Sequence, residues 1–524
     1  MGIYLNPKNT GFRESINSQI YIDKSGLIAN TNKMLGTEQK YICVSRPRRF
    51  GKSMAAKMLI AYYSKGCNSL SLFESLAISS EPSFQQHLNQ YNVLFLNMQY
   101  FLCETHDIKQ MIAKLQEAIR FELLEEYRNE ISPREETLPE LLSRIHEITD
   151  EQFIFIIDEW DCIFREKNTS TEGHQFYLDF LRNLLKDRSY VSLAYMTGIL
   201  PIKKYGSHSA LNMFTEFSMT NPRTLAEYVG FTEEEVQILC NKYHMNFAET
   251  ARWYDGYTFR KTKHIYSPKS VVDAMLNEEF DSYWTQTETY EALRIYIDMN
   301  FDGLKNAITH MLAGERIRLN TATFENDMTT FRSKDDVLTL LIHLGYLAYD
   351  ARTQEAFIPN YEVSLEFCNA LQGSTWEPII KAIQTSDRLL KATWEKDSSY
   401  VAQALENAHL EISILTYNNE NSLACTISLA YYSAKVYYTE IRELPTGNGF
   451  ADIVFLPRKN HSDKPAILIE LKWDKTAQSG IEQIKKQKYT SALDDYSGNI
   501  LLVAINYNKH NKLHECIIEE IIKP

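Results

Sequence analysis

The sequence lacks the features of exported and membrane-embedded proteins. Residues 1–7 contain no basic stretch followed by an apolar one, and no run in the chain reaches the roughly 18 apolar residues that a membrane span needs. The eight cysteines are scattered, and no Cys-x-x-Cys pair occurs among them. This spacing disfavours both a disulfide framework and a zinc ribbon. We therefore expect a protein of the reducing cytoplasm with no membrane contact.

An excess of positive charge is also missing. The formal net charge is −13, which disfavours a protein whose whole surface grips a polyanion such as DNA. From residue 387 to the end, however, 16 Lys and Arg stand against 18 Asp and Glu, so most of the acidity lies in the first 386 residues. A nucleic-acid contact is therefore expected in the C-terminal third.

The size and composition predict several folded domains. A chain of 524 residues exceeds the size at which a single hydrophobic core keeps growing. With 44% hydrophobic and 23% charged residues, the composition is that of an ordinary globular protein. Large cores can therefore form in more than one domain.

Four largely apolar runs, separated by helical stretches, organise the N-terminal part of the chain. This pattern is typical of parallel strands that are covered on both faces in an α/β sheet. The runs are residues 41–44, 93–96, 153–157 and 191–196. Ligands of such sheets bind at the carboxyl ends of the strands.

The first run leads into Arg-Pro-Arg-Arg-Phe-Gly-Lys-Ser at residues 46–53 and then into a helix-compatible stretch at residues 54–60. A strand, a loop and a helix in this order form the setting of a P-loop, in which amide groups and the helix start hold phosphate oxygens. Lys52 would reach the terminal phosphates and Ser53 would bind Mg²⁺. The residues expected to bind the nucleotide here are Arg49, Phe50, Gly51, Lys52 and Ser53.

One residue of this loop departs from the P-loop pattern, which has glycine where this chain has Arg46. A plain basic turn before a helix is the alternative interpretation.

Acidic residues end the third run, and a threonine ends the fourth. Asp158 is predicted to hold the Mg²⁺ shell, and Glu159 to orient or deprotonate the attacking water. Thr197 would lie beside the terminal phosphate, although a helix N-cap is an equal alternative. The acids also have an ordinary interpretation as the end of a buried strand. The candidate arginine fingers, which sequence does not rank, are Arg165, Arg182 and Arg223.

A second site is predicted near the C-terminus, on two strands at residues 447–456 and 466–473. Strand side chains alternate, so Glu470 and Lys472 share one face, and Asp452 on the neighbouring strand can approach Glu470. Paired carboxylates bind a divalent cation, which activates water and stabilises phosphate charge. Lys472 would orient the nucleophile or neutralise the phosphate. No Ser/His/Asp spacing and no zinc ligand cluster stands out as a competing nucleophile among the 13 histidines.

The helix after these strands offers Gln483, Lys486 and Gln487 on one face, with Tyr489 shortly after. A further acid is expected from Glu420 or from Glu443, and the sequence leaves this choice open. A structural hairpin with a surface Glu/Lys pair, or a nuclease-like fold that has lost its activity, is the alternative for this domain.

These motifs resemble the bacterial AAA-ATPase-like family that carries a C-terminal PD-(D/E)xK nuclease domain. The likeness extends to residues 21–25, 158–161, 197–200, 230–236 and 253–257. Arg-Pro-Arg-Arg-Phe-Gly-Lys-Ser is this family's own form of the loop, so the missing glycine agrees with the resemblance. The resemblance also implies that Gln483 and Tyr489 lie beside the nuclease site.

We accordingly expect an α/β protein with three domains. They are an AAA-ATPase-like P-loop domain with a parallel sheet at residues 1–220, a helical lid or winged-helix-like region at residues 221–384, and a restriction-endonuclease-like α/β domain at residues 385–524. The winged-helix prediction rests on a helix at residues 335–347 followed by a short hairpin near residues 356–360. This module contacts DNA or packs internally, and the sequence leaves both open.

The function expected from this organisation is ATP binding and hydrolysis coupled to Mg²⁺-dependent cleavage of DNA. The alternative is a nucleotide-gated binding or signalling protein whose nuclease-like domain is inactive. ATP and Mg²⁺ are the expected cofactors, DNA is the expected partner of the C-terminal domain, and a homo-oligomer stays open.

Overall fold

A computed structural model describes residues 2–105, 107–166, 170–202, 211–259, 262, 264–284, 290–299, 301–326, 328, 330–371, 376–411, 420–446, 449–487, 493 and 496–522. The strands are, in chain order, β1 Tyr41–Ser45, β2 Asn92–Asn97, β3 Phe153–Asp158, β4 Val191–Gly198, β5 Thr215–Phe217, β6 Phe231–Thr232, β7 Ile265–Tyr266, β8 Ile317–Arg318, β9 Ala348–Asp350, β10 Glu355–Phe357, β11 Tyr438–Thr446, β12 Gly449–Pro457, β13 Ala466–Trp473, β14 Ile500–Asn508 and β15 Leu513–Ile521.

The α-helices are, in the same order, α1 Thr10–Ile16, α2 Gly26–Asn32, α3 Lys52–Tyr63, α4 Leu70–Phe73, α5 Phe84–His87, α6 Met98–Thr105, α7 Ile108–Glu126, α8 Leu138–Thr149, α9 Cys162–Arg165, α10 Thr171–Leu185, α11 Glu233–Tyr243, α12 Phe247–Tyr254, α13 Pro268–Asn277, α14 Tyr290–Ile297, α15 Leu304–Leu312, α16 Lys334–Leu344, α17 Tyr361–Leu371, α18 Glu377–Trp394, α19 Ser398–Glu411, α20 Glu420–Ala430, α21 Ala434–Tyr437 and α22 Ala477–Lys486. Within the described ranges, no helix has both the length and the apolar character needed to cross a membrane.

The chain divides into two compact units. The first unit consists of Met1–Glu288 with Arg318–Ser364, and the second consists of Thr289–Ile317 with Leu365–Pro524.

The first unit is built on a parallel sheet with the strand order β2-β3-β4-β1-β5. Every residue of β1, β3 and β4 is buried, which explains why these strands are continuous apolar runs. The four predicted strands and the α/β fold class are confirmed. The fifth strand, β5, was missed because its three residues, Thr-Glu-Phe, contain no apolar run.

The strand order brings the predicted nucleotide residues to one edge of the sheet. Strand β4 lies between β3 and β1, and all three run in the same direction. Their carboxyl ends are followed by the P-loop after β1, by Glu159 after β3 and by Ile199 after β4. Ligands of open α/β sheets bind at this edge.

The middle of the chain is helical, as predicted. Helix α11 begins with a capping box in which Thr232 and Glu235 bind each other's backbone N–H groups, within the motif at residues 230–236. Helix α16 is followed by an antiparallel hairpin of β9 and β10, which confirms the predicted helix and hairpin.

Gly256, in the motif at residues 253–257, makes the closest backbone approach in this region. Its φ is +123°, and a Cβ at this position would lie 2.0 Å from the carbonyl oxygen of Pro359. The Asn360 side-chain amide donates to the carbonyl of Asp255 at 2.8 Å and fixes the same contact. A glycine is therefore required for both conformation and space.

We expect Gly256→Ala to destabilise the first unit strongly. Gly36 is a matched control, because its φ is +65° but a Cβ there would meet no atom within 4 Å. Gly36→Ala should cost about 1 kcal/mol from backbone conformation alone. Gly256→Ala should cost about 3 kcal/mol or more, because the backbone of Pro359 must also move. Thermal unfolding followed by circular dichroism measures the Tm of both variants. Equal shifts in Tm would contradict the close contact between Gly256 and Pro359.

The second unit is built on a mixed sheet with the order β11-β12-β13-β14-β15. Strands β13 and β14 are parallel, and the other neighbours are antiparallel. Helix α22 packs on one face through Ile481 and Ile484 against Leu468 and Leu502. At Gly480 a Cβ would lie 2.8 Å from the Cβ of Ala504, so this glycine lets the helix approach the sheet closely.

Candidate functional site

The loop at residues 46–51 joins β1 to α3 and has the backbone of an anion-binding turn. Gly51 caps the helix start with a left-handed φ of +92°, and Arg49 has a φ of +65°. A Cβ on Gly51 would meet nothing within 4 Å, so glycine is needed here for its conformation. The first N–H groups of α3 have no partner within the helix and are available to an anion.

Arg46 takes the place of the first glycine by folding its side chain under the loop. The guanidinium is fully buried, and its Nη1 donates to the carbonyls of Ser45 at 2.9 Å and Phe217 at 2.8 Å. It also lies over the ring of Phe259, at 5.2 Å from the centroid. Burial lowers the pKa of Arg46 to about 10. This arginine therefore joins the start of the loop to β5 and does not extend towards a ligand.

Lys52 is held inside the loop, with 4% of its surface exposed. Its Nζ donates to the carbonyls of Arg46 at 3.0 Å and Pro47 at 2.9 Å. Burial lowers the pKa of Lys52, and the charge of Glu159 opposes this shift most strongly among the neighbouring groups. The amine therefore lies within electrostatic reach of the acids after β3.

The acids and the threonine lie at the adjacent strand ends. Asp158 is buried and accepts a hydrogen bond from the hydroxyl of Thr197. Thr197 lies within β4, so it does not cap a helix as the alternative interpretation proposed. Glu159 has a left-handed φ of +56° and forms an ion pair with Arg165.

Asp161 has a structural contact that sequence reasoning did not assign. One of its carboxylate oxygens accepts hydrogen bonds from the backbone N–H groups of Ile199 at 3.0 Å and Leu200 at 2.8 Å. It ties the chain after β3 to the chain after β4, and Arg165 approaches the same oxygen at 3.4 Å. This contact joins the segments at residues 158–161 and 197–200.

A pocket of about 430 Å³ opens beside the start of α3. Three further segments complete it: residues 12–24, residues 228–231 and the start of α13. The lining residues are Phe12, Ser18, Ile20, Tyr21, Ile22, Lys24, Arg49, Phe50, Gly51, Lys52, Ser53, Met54, Ala55, Met58, Tyr228, Gly230, Phe231, Pro268, Lys269 and Val272. All five predicted loop residues line this pocket.

Sequence reasoning assigned no role to the pocket residues outside the loop. The motif at residues 21–25 was the available signal, because Tyr21, Ile22 and Lys24 line the pocket. Lys24 is fixed there by an ion pair with Glu235 at 2.6 Å. Burial lowers the pKa of Lys24, while the carboxylate of Glu235 opposes that shift.

Phe50 and Pro47 connect the loop to the helix and hairpin of the middle region. The Phe50 ring packs edge-on against Tyr257 at 5.2 Å, and the Tyr257 hydroxyl donates to the carbonyl of Gly345 at 2.6 Å. Gly345 ends α16 with a φ of +90°, and a Cβ there would lie 2.8 Å from Pro47. The loop is therefore in direct contact with the end of α16.

The second predicted site lies on β12 and β13 of the second unit. The strands pair Ile453 with Ile469, and continuing this register by one residue places Asp452 opposite Glu470. A carboxylate oxygen of Asp452 accepts from the backbone N–H of Leu471 at 2.7 Å. The structure therefore brings Asp452 next to the Glu-x-Lys segment, as its position on the neighbouring strand of the hairpin predicted.

Glu470 and Lys472 are both buried, with 2% and 5% of their surfaces exposed. Lys472 Nζ donates to Glu470 Oε1 at 2.6 Å and to the carbonyl of Leu471 at 3.1 Å. Buried charges are costly unless they are paired, and this pairing stabilises both groups. A Cβ on Gly480 would lie 3.6 Å from Lys472 Cγ, so α22 covers this face of the sheet.

The other residues predicted for this site lie mainly on α22 and at its end. Gln483 lies on α22, one turn after Gly480, and is half-buried, whereas Lys486 is exposed. Gln487 follows the last residue of the helix. Tyr489 and the side chain of Glu420 lie outside the described residues.

Glu443, the rival to Glu420, lies on β11 at the register position that faces Asp452 on β12. Arg442 pairs with Ile453 and Leu444 with Ala451, while Glu443 has a φ of +50° and is exposed. The left-handed φ interrupts the pairing at this one residue without shifting the register of the two strands.

Two family models match the chain. Residues 11–207 match a model described as "Predicted AAA-ATPase", and residues 418–516 match a model of the PD-(D/E)XK nuclease superfamily. No curated protein matches the chain.

Several solved structures are similar to the chain at low identity. Cdc6p from Pyrobaculum aerophilum is 10% identical, with a TM-score of 0.29, and 70% of this chain and 99% of that chain are covered. The ORC1 protein of Aeropyrum pernix, solved in complex with DNA, is 13% identical with a TM-score of 0.27 and coverages of 72% and 99%. The ORC2 protein of Aeropyrum pernix, solved as ADPNP-ADP complexes, is 9% identical with a TM-score of 0.28 and coverages of 69% and 97%.

Proposed function

We propose that this chain hydrolyses ATP in its predicted AAA-ATPase domain and cleaves DNA in the PD-(D/E)XK nuclease superfamily domain that follows. The observation that carries the ATPase is the position of Lys52. Its amine lies under the loop at the start of α3, within electrostatic reach of Glu159, Asp161 and Asp158. We propose functional domains at residues 1–220, 221–384 and 385–524.

The triphosphate is proposed to bind where the first amide groups of α3 point. Lys52 would exchange its two hydrogen bonds with loop carbonyls for charge-assisted contacts to phosphate oxygens, which are stronger. The base and ribose would occupy the pocket of about 430 Å³, against apolar side chains such as Ile22 and Val272. This arrangement places the phosphates at the strand ends that carry Asp158 and Thr197.

The donor groups at both sites fit Mg²⁺. Ser53 and Asp158 in the first site and Asp452 and Glu470 in the second offer hydroxyl and carboxylate oxygens, the ligands that this ion prefers. When bound, Mg²⁺ neutralises phosphate charge and lowers the pKa of a bound water.

The proposed chemistry of the first site needs Glu159 and Thr197. Glu159 would accept the proton of the water that attacks the terminal phosphate, and the Thr197 hydroxyl holds Asp158 in place. The ion pair with Arg165 engages Oε2 of Glu159. In this proposal the pair opens before Glu159 accepts the proton.

We therefore expect Arg165→Ala to raise the kcat of ATP hydrolysis several-fold, because it frees Glu159. The steady-state rate with Mg²⁺ measures this, and Arg128→Ala, at an exposed arginine of the same unit, is the control. Glu159→Gln combined with Arg165→Ala should return the rate to that of Glu159→Gln alone. A fall in kcat for Arg165→Ala would show instead that the arginine orients the base.

The proposed chemistry of the second site rests on Asp452, Glu470 and Lys472. Asp452 lies on the strand next to Glu470 and accepts from the N–H of the following residue, Leu471, and Lys472 shares a face with Glu470. Lys472 would leave Glu470 to neutralise the phosphate or to orient the attacking water. The near-balanced charge of residues 387–524 is compatible with a DNA backbone in this domain.

A second candidate function is a nucleotide-gated binding protein whose nuclease-like domain does not cut. The observation in its favour is the contact of Lys472 with Glu470 at 2.6 Å, because the charge of a lysine that stays in this pair opposes a cation at the same carboxylate. Incubating plasmid DNA with the full chain and Mg²⁺ or Mn²⁺, with and without ATP, separates the two functions. Cutting supports the nuclease, and its absence with both ions supports the second candidate.

A further inference from the structure

We propose that His310, Glu315 and Cys425 form a further metal site in the second unit, for a divalent cation of the zinc class. One ligand atom from each residue lies within 4.8 Å of the ligand atoms of the other two. The three residues belong to neither the nucleotide site nor the Asp452, Glu470 and Lys472 group.

The backbone around Gly314 brings two of the ligands together. His310 lies in the last turn of α15, and the chain reverses at Gly314, whose φ is +91°. The N–H of Glu315 then donates to the carbonyl of His310 at 3.0 Å. As a result, His310 Nδ1 and Glu315 Oε2 lie 2.7 Å apart. Two ligands are therefore fixed by a local turn.

Cys425 provides the third ligand from a distant part of the chain. It lies within α20 and is fully buried, whereas His310 and Glu315 are half-buried. A bound ion would therefore cross-link α15 to α20.

The donor set selects the class of cation. Imidazole nitrogen, thiolate sulfur and carboxylate oxygen suit zinc and cobalt, whereas Mg²⁺ prefers oxygen alone. Bond lengths of about 2.0–2.3 Å separate the ligands of a tetrahedral ion by roughly 3.5 Å. The ligand atoms lie within 4.8 Å of one another and therefore reach these positions with shifts of at most about 1 Å, and the 2.7 Å contact between His310 and Glu315 opens by a similar amount. Water would complete the coordination.

Arg442 orients the carboxylate of this set. Its Nη1 donates to Glu315 Oε1 at 2.7 Å, which leaves Oε2 as the oxygen directed at His310. Outer contacts of this kind hold metal ligands in position. The guanidinium charge opposes a cation nearby, but Glu440 lies 3.4 Å from Arg442 Nε and offsets it.

Lys435 is the other cation in this neighbourhood, and it must be included in the charge balance. Its Nζ donates to the carbonyl of Leu312 at 2.8 Å, and burial lowers the pKa of this amine. Burial also raises the pKa of the Cys425 thiol, and Glu315 raises it further while Arg442 lowers it. A cation that binds the Cys425 sulfur displaces the thiol proton.

Cobalt titration of the full chain tests the proposal. A thiolate bound to Co²⁺ gives a near-ultraviolet charge-transfer band, which the oxygen donors of the other two proposed sites cannot give. We expect one such band, displaced by Zn²⁺ but not by Mg²⁺, and absent in Cys425→Ser. His310→Gln and Glu315→Gln should weaken Co²⁺ binding at least tenfold. Cys368→Ser, which removes a half-buried cysteine of the same unit, should leave the band unchanged.

Two results would overturn the site. One is no thiolate band in the wild-type chain, and the other is a band that persists in Cys425→Ser. Because Cys425 is buried, that variant can fail to fold, and His310→Gln and Glu315→Gln then decide the question. Unchanged Co²⁺ affinity in both of these variants would show that His310 and Glu315 do not bind the ion and only share a hydrogen bond.

Discussion

Replacing Lys52 with alanine should reduce ATP hydrolysis about 100-fold or more, because the loop loses its only buried amine next to the phosphate position among the described residues. The backbone amides of α3 remain, so some binding should persist while the rate falls. Steady-state hydrolysis and equilibrium binding of a fluorescent ATP analogue measure the two effects separately. A rate equal to that of the parent would remove the P-loop assignment.

Lys57→Ala is the matched control for this variant. Lys57 lies on the same helix, α3, but is exposed and does not line the pocket. It removes the same charge from the same helix, so a general electrostatic effect would lower both rates. We expect the Lys57 variant to keep the parent rate. Both variants should retain the parent's far-ultraviolet circular dichroism.

Removing either carboxylate of the second site should abolish DNA cleavage. Asp452→Asn and Glu470→Gln keep the size of each side chain but remove the charge that binds a divalent cation, so the rate should fall at least about 100-fold. Nicking and linearisation of plasmid DNA with Mg²⁺ measure the effect. If both variants cut as fast as the parent, another group or a contaminating nuclease is responsible.

Asp463→Asn is the control for the carboxylate variants. Asp463 lies in the same domain, with 67% of its side chain exposed, and pairs with Lys464. It removes a negative charge outside the proposed site and should leave cleavage unchanged. ATP hydrolysis should also persist in Asp452→Asn and Glu470→Gln, because the two proposed activities use separate residues. Loss of both activities would indicate misfolding and not a lost metal ligand.

The parts that could be predicted from sequence are those that local chemistry determines. A buried strand, the Gly51-Lys52-Ser53 segment and a helix start follow each other within about 20 residues, so the P-loop is visible as one pattern. Strand alternation placed Glu470 and Lys472 on one face before any fold was known, and the structure has this arrangement. The α/β fold class followed from the apolar runs for the same reason.

Other features depend on residues that are distant in the chain. The role of Arg46 needs the carbonyl of Phe217, and the pocket needs the side chains of Ile22, Tyr228 and Val272 beside the loop. No short pattern connects such positions, because only the folded chain brings them together. The short strand β5 was missed for a related reason, since pairing with β1 and not an apolar run makes it a strand.

The sequence by itself determined which chemical groups this protein has and which of them share a strand, a turn or a face, because these relations depend on backbone geometry over a few residues. Only the tertiary structure decided that Lys52 donates to loop carbonyls, that Arg165 pairs with Glu159, and that ligand atoms of Cys425 and His310 lie within 4.8 Å of each other. Such contacts depend on how helices and strands pack, and packing is a property of the whole folded unit.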